Sequence, residues 1–524
     1  MPLQKHHQAI AIILGGGLLL QLGLHLLGFH RTEADESARA LMAWELSWAN
    51  ALEPWIWPPF YKIVVGLFLR LYDDVFLGPR ILAVLAGTGL VVVLVALSEA
   101  LFRSRTTAVA TAALAVLLPD RLIFGTVPLS DIYYFLAMAG AALCLLRWVR
   151  TERRALLLLG CLLILVAQTV RYEAVFFGLV IGGVLTWMLL VERRLTFGTY
   201  LAAGAILGAF PVLWVINSWL WYGSLENLGI TGQQYVAVYG HDYARAFRDL
   251  PLIQFLRSLA FNPLLLLGLG LMLRLAIADA PLRRWVWMLW LPLPLISAVT
   301  FATLSITQAA SWRQASLWML LLLPFQAQAL VSIAAWLRRF RWRRWAVPAL
   351  VVLALGPSLA RDARIIRGGM VNWQTGEWRV ERKIGLHLRA ELQRLGEGRV
   401  LVDSQASLDF LDVLTGTSIP ERVVLTADAP PLEVALYLPM EALYRAQQDE
   451  QMIARYLTDQ FSLAAGGDAR AFRRREIRFV LVRAPEFVAG LDASPLVARE
   501  RQFPGWTLYR VQPEALQVAA GAER

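Results

Sequence analysis

Apolar runs long enough to cross a bilayer recur along the first 360 residues, and arginines gather in alternate loops between them. A membrane-crossing helix needs roughly 20 mostly apolar residues. Candidate spans are Gln8–Phe29, Phe76–Leu101, Thr106–Leu118, Ile132–Leu146, Ala155–Val170, Ala174–Val191, Tyr200–Trp221, Phe255–Leu273, Trp285–Leu304, Ser316–Leu337 and Trp345–Leu359. This gives about eleven crossings near the required length. Hydrophobic residues make up 58% of the chain, where a soluble domain is nearer half apolar. The expected fold is therefore an α-helical polytopic membrane protein.

The arginine loops set the sidedness. Arg103 and Arg105 form the first; Arg147, Arg150, Arg153 and Arg154 the second; Arg193 and Arg194 the third. Arg283 and Arg284 follow, then Arg338, Arg339, Arg341, Arg343 and Arg344. Basic loops stay in the cytoplasm. The N-terminus is thus expected inside, with the other loops and everything after Leu359 outside. The same topological demand accounts for the formal net charge of +11, so no nucleic-acid partner is inferred.

The spans are nearly free of charge. Coupled transporters and pumps carry ionisable groups near mid-membrane, and none is evident. Cys144 and Cys161 both fall within apolar runs and read as core thiols rather than a disulfide framework. The first span lacks a small-residue cleavage site after it and is expected to be retained.

Two outer segments are long. The first loop, residues 30–75, carries an acidic Asp35-Glu36 pair followed by two expected surface helices, Ser37–Trp48 and Phe60–Tyr72, separated by a Pro- and Trp-rich break. Residues 1–360 would form the membrane domain with this loop. Residues 361–524 would form an extracytoplasmic soluble α/β domain. There, Trp378–Leu395 reads as an amphipathic helix. Arg399–Asp403, Arg422–Thr426, Arg478–Arg483 and Trp506–Arg510 read as strands. No glycine-rich phosphate loop and no zinc-ligand spacing occurs in this domain.

Candidate chemistry lies on the outer side. Asp35 and Glu36 follow the first span, and a solvated interfacial pair is as good a reading as a functional one. Asp131 opens a helix after Pro128-Leu129-Ser130, where a carboxylate favours the helix dipole. Lys62, Arg80 and Arg313 each sit where a long cation snorkels to headgroups, and Arg171 could simply pair with Glu173. Singly, each has a structural explanation. Together they put acids and bases on one face of the membrane.

The order of short motifs carries a resemblance. After the acidic pair comes Pro58-Pro59, then Gly78-Pro79-Arg80 through Gly87, then Pro119 and Leu129-Ser130-Asp131. Thr169-Val-Arg171-Tyr172-Glu173, Tyr222-Gly223-Ser224-Leu225 and Arg313 leading to Pro324 follow. Over roughly the first 330 residues this resembles the GT-C superfamily of membrane glycosyltransferases. The branch it is most similar to contains protein O-mannosyltransferases and lipid A aminoarabinose transferases.

The resemblance implies transfer of a sugar from a polyprenyl-phosphate-linked donor to an unknown acceptor, in a bacterial-type cytoplasmic (inner) membrane. It makes Asp35 the general base, with Glu36 beside it, and Asp131 the second acidic position. Arg80 and Arg171, with Lys62 and Arg313, would hold the donor phosphate. The second acidic motif is often a pair, and here the neighbour is Ser130, so no metal ligands are assigned and a divalent ion is left as an option. A base on one face of the sugar and a phosphate clamp on the other imply inversion. The alternative is a non-catalytic assembly or lipid-binding protein that keeps the fold.

Overall fold

The computed structural model describes residues 3–30, 35–54, 57–223, 243–303, 310–337, 352, 356, 359–360, 363–371, 378–405, 408–427 and 459–522. Its contacts divide the chain into two units. One comprises Met1–Phe29, Ser47–Ile63 and Arg80–Ile366; the other comprises His30–Leu46, Val64–Pro79 and Arg367–Arg524. The first loop is thus shared between the two.

The first unit is a helical bundle. Its leading helices are α1 (Leu3–Leu26), α4 (Leu77–Phe102, entering this unit at Arg80), α5 (Arg105–Leu117), α6 (Pro119–Phe124), α7 (Asp131–Thr151), α8 (Arg154–Val170), α9 (Ala174–Leu190) and α10 (Phe197–Tyr222). Between α1 and α4 in the chain come α2 (Asp35–Trp44) and α3 (Phe60–Leu69). Among the described residues, five helices are long and apolar enough to cross a membrane, or seven if each of two bent pairs counts as one span. Helices α5, α8 and α9 are apolar but shorter, at 13, 17 and 17 residues. The expected Trp345–Leu359 span and the Arg338–Arg344 run lie largely or wholly outside the described residues.

Local chemistry explains the breaks. Ser104 and Thr196 cap α5 and α10 by accepting the Thr107 and Thr199 amides, which satisfies donors that a helix start leaves open. The run read as one span over Phe255–Leu273 is instead Pro251–Leu259 and Leu264–Ala278, bent by 107°. Asn262 accepts the Leu264 and Leu265 amides at 3.1 and 3.2 Å, and Pro263 takes the first helical position. Buried tryptophans fix helix pairings: Trp285 Nε1 donates to the Ala142 carbonyl at 2.7 Å and Trp318 Nε1 to that of Leu289 at 2.9 Å.

The second unit holds a five-stranded sheet in the order β2-β1-β3-β5-β4. The strands are β1 (Arg399–Val402), β2 (Val423–Leu425), β3 (Ile477–Val482), β4 (Val497–Phe503) and β5 (Trp506–Val511). β1 runs parallel to β2 and β3, while β5 is antiparallel to β3 and β4. Leu401, Val480, Tyr509, Phe472 and Phe487 are buried in its core. Helix α2 belongs to this unit, and every residue from Glu36 to Ala43 is buried. Its Ser37 hydroxyl donates to Asp412 at 2.6 Å. A Cβ at Gly66 of α3 would lie 2.5 Å from the Ala43 carbonyl oxygen, so glycine is what allows α2 and α3 to touch there.

Candidate active site

The start of α7 gathers the charged groups of the first unit. Asp131 occupies the first turn of α7 and is fully buried. At the C-cap of α8, Arg171 adopts extended backbone and leads through Tyr172 to Glu173. The helix Ala310–Leu321 supplies Arg313 and Gln314 from far along the chain. Arg313 Nη2 donates to Asp131 Oδ2 at 2.5 Å and its Nε donates to Oδ1 at 3.3 Å. Arg171 Nη1 donates to the same Oδ1. Arg171 also forks onto Glu173, with Nη2 to Oε1 at 2.7 Å and Nε to Oε2 at 3.2 Å. Gln314 Nε2 donates to Glu173 Oε1 at 2.5 Å.

Two guanidiniums therefore meet two carboxylates, and their formal charges cancel. Burial pushes the Glu173 carboxyl up, but the Arg171 charge and hydrogen bond, with help from Gln314, hold it below its ordinary value. Burial lowers Arg171, yet Asp131 and Glu173 more than reverse this and keep it cationic. An arginine has five N–H donors in a planar fork. Three of those on Arg171 are engaged by Asp131 and Glu173, which leaves two available to a ligand oxygen. Its side chain keeps 12% exposure.

Lys62 and Arg80 stand in the same unit. Lys62, buried on α3, donates to the Asn50 carbonyl at 2.7 Å. The preceding Tyr61 meets Tyr133, two residues past Asp131, edge-on at 6.0 Å between ring centroids. Arg80 is buried near the start of α4. Asp35 and Glu36 belong to the second unit. They form the first turn of α2 instead of preceding it; Asp35 is half-buried and Glu36 is fully buried. No group of three or more His, Cys, Asp or Glu side chains gathers among the described residues. Both Asp131 oxygens accept guanidinium N–H groups.

Gln314 escaped the sequence reading, because an amide beside an arginine carries no local signal. Arg121 escaped it too. This buried side chain on α6 donates to the Gly87 carbonyl and to Gln21 Oε1, both at 3.2 Å, while Gln21 Nε2 donates to the Gly125 carbonyl at 2.7 Å. A Cβ on Gly87 would lie 3.1 Å from the Gly125 Cα. The resemblance motif that ends at Gly87 thus marks where α4 touches the end of α6, and Arg121 clasps that crossing to α1.

Nearly the whole chain superposes on solved structures. ArnT from Cupriavidus metallidurans bound to undecaprenyl phosphate matches with a TM-score of 0.54 at 12% identity, over 97% of this chain and 98% of that one. The chain has the GT-C fold. The same ArnT in its apo state gives 0.54 at 13% identity, over 96% and 99% of the two chains. The Archaeoglobus fulgidus oligosaccharyltransferase in its apo form gives 0.46 at 12% identity, over 92% of this chain and 70% of that one. No family model matches the sequence, and neither does any curated protein. The fold is that of a multi-pass α-helical membrane protein with a small sheet-containing C-terminal region.

Proposed function

We propose that this protein is a membrane glycosyltransferase that moves a sugar from a polyprenyl-phosphate-linked donor to an acceptor on the outer face of the inner membrane. The observation that carries the reading is the buried Asp131–Arg171–Arg313 cluster within a fold whose ArnT counterpart binds undecaprenyl phosphate. An outer-face enzyme cannot draw on cytoplasmic nucleotide sugars, so a lipid must deliver its donor. As the glycosidic bond breaks, the departing lipid phosphate gains negative charge. Fixed guanidinium donors in a water-poor site stabilise that charge.

Within this reading Asp131 is a positioning residue. Its carboxylate holds two arginines at fixed angles, and the remaining N–H groups of Arg171 face the phosphate, aided by Arg80 and Lys62. Asp35 takes the proton of the acceptor hydroxyl as the new bond forms. Attack opposite the leaving phosphate inverts the anomeric centre. Residues 361–524 lie outside the cytoplasm in this reading, which the alternating arginine loops support.

The test is reconstitution of the purified full chain with radiolabelled polyprenyl-phosphate sugars and membrane extract as acceptor source. Release of polyprenyl phosphate together with label in a new product is expected. Tight binding of the lipid phosphate without turnover for any sugar would favour the non-catalytic lipid-binding alternative.

A further inference from the structure

The same helix that begins at Asp131 ends in a second cluster of cations. α7 rises about 1.5 Å per residue, which sets Arg147 and Arg150 roughly 24–29 Å from Asp131, at the opposite end of the span. There a cavity of about 410 Å³ opens between the ends of α4 and α7, lined by Glu99, Arg103, Leu146, Arg147, Arg150 and Thr151. Its charged residues are exposed.

Three features set this cavity apart from an ordinary basic loop. Arg103 and Arg147 form no ion pair among the described residues, so their charge is uncompensated within the bundle. The single acid on the wall, Glu99, is met by the buried His6 Nε2 at 2.9 Å. The backbone also shapes the site. Arg103 sits at φ 50°, where the chain turns out of α4, and Arg150 Nη1 donates to the Ala100 carbonyl in the last turn of that helix. Topology asks for positive charge at this end of the spans. It does not ask for three guanidiniums converging on a cavity with an apolar floor at Leu146.

We propose that this cavity is a second anion site that takes the phosphate headgroup of an anionic membrane lipid, in the leaflet opposite the Asp131 cluster. Guanidiniums pair with phosphate oxygens through forked hydrogen bonds, and basic pockets between spans suit lipid headgroups. The inference is independent of the transfer reaction.

Native mass spectrometry of the full chain in neutral detergent tests it, by titration with phosphatidylglycerol, phosphatidylcholine or inorganic phosphate. Phosphatidylglycerol is expected to bind about tenfold or more tightly than phosphatidylcholine. Arg103→Gln/Arg147→Gln should remove roughly that factor, the loss expected when charge-assisted contacts go. The pair Arg153→Gln/Arg154→Gln deletes the same charge from the same side and should change little. Thr151→Trp keeps every charge but fills the cavity, and it too should weaken the lipid, so the idea stays testable even if the arginine pair fails to fold. Equal losses from both arginine pairs, or unchanged binding in Thr151→Trp, would mean diffuse surface charge and overturn the site. Displacement of the lipid by millimolar inorganic phosphate would make it a free-phosphate site and overturn the lipid assignment.

Discussion

Arg313 reaches Asp131 across 182 residues of sequence and meets both of its carboxylate oxygens. This pair ties the Ala310–Leu321 helix to the start of α7. Removing one partner of a buried ion pair typically costs about 3–5 kcal/mol, because the other charge is left unpaired. In Asp131→Ala, Arg313 loses its hydrogen bonds to both carboxylate oxygens, while Arg171 keeps its fork onto Glu173. The variant should show a markedly lower unfolding temperature in detergent as well as lost transfer. An unfolding temperature equal to that of the parent protein would mean that Asp131 does not hold this cluster together.

The donor-phosphate assignment makes a separate prediction. Arg171 has two N–H donors uncommitted to Asp131 and Glu173, while Arg80 and Lys62 are buried cations of the same unit. Losing a charge-assisted phosphate contact costs about 1.5–3 kcal/mol, or roughly ten- to hundredfold in affinity. Alanine at Arg80 or Lys62 should weaken polyprenyl-phosphate binding by that factor. Arg171→Lys is the sharper variant, since a single ammonium cannot span two carboxylates and a phosphate as a planar fork does. Binding unchanged in all three would remove the assignment.

Much of this architecture is legible in the sequence, and the failures have identifiable causes. Strands β1, β2, β3 and β5 follow from short apolar runs bounded by turn residues. β4 does not, because Arg499, Glu500, Arg501 and Gln502 interrupt its alternation at the edge of the sheet, where solvent tolerates them. The bend at Asn262-Pro263 is written in a cap followed by a first-turn proline, but it is masked by apolar runs on both sides. Asp131 is readable as a helix-start carboxylate. Its partners Arg171 and Arg313 lie 40 and 182 residues away, and spacing carries no information about contacts made by tertiary packing alone. Gln314 shows this most clearly, since nothing local distinguishes it from any surface amide.

Gln314 has a pH consequence. The folded state holds Glu173 below its ordinary carboxylate value. A depressed carboxyl contributes stability that is present above its unfolded pKa and lost as pH falls through the lower folded one. The parent protein should therefore keep this cluster until the pH drops below the usual glutamate range. Gln314→Leu removes one hydrogen bond to the carboxylate, worth about 1–2 kcal/mol for a half-buried partner. The variant should be less stable by about that amount at pH 7, the gap to the parent should close as pH falls below the usual glutamate range, and the acid limb of transfer should move upward toward that range. Superimposable acid limbs for Gln314→Leu and the parent would show that Gln314 does not act through Glu173.

The last prediction separates the two acids of α2. Asp35 and Glu36 are adjacent, and successive positions on a helix point about 100° apart, so they cannot share a role. Asp35 is half-buried at the helix start, accessible enough to receive an acceptor hydroxyl, whereas Glu36 is fully enclosed. Asp35→Asn keeps size and most hydrogen bonding but cannot accept the proton. It should insert, fold and bind the lipid phosphate normally, yet transfer sugar about a hundred- to ten-thousandfold more slowly, the usual loss on removing a general base. Glu36→Gln should instead lower the unfolding temperature, because it alters a carboxylate packed inside α2, with any loss of activity following the loss of folded protein. Near-normal transfer by folded Asp35→Asn would dismiss it as the base. A folded but inactive Glu36→Gln would move the role one residue along the same helix.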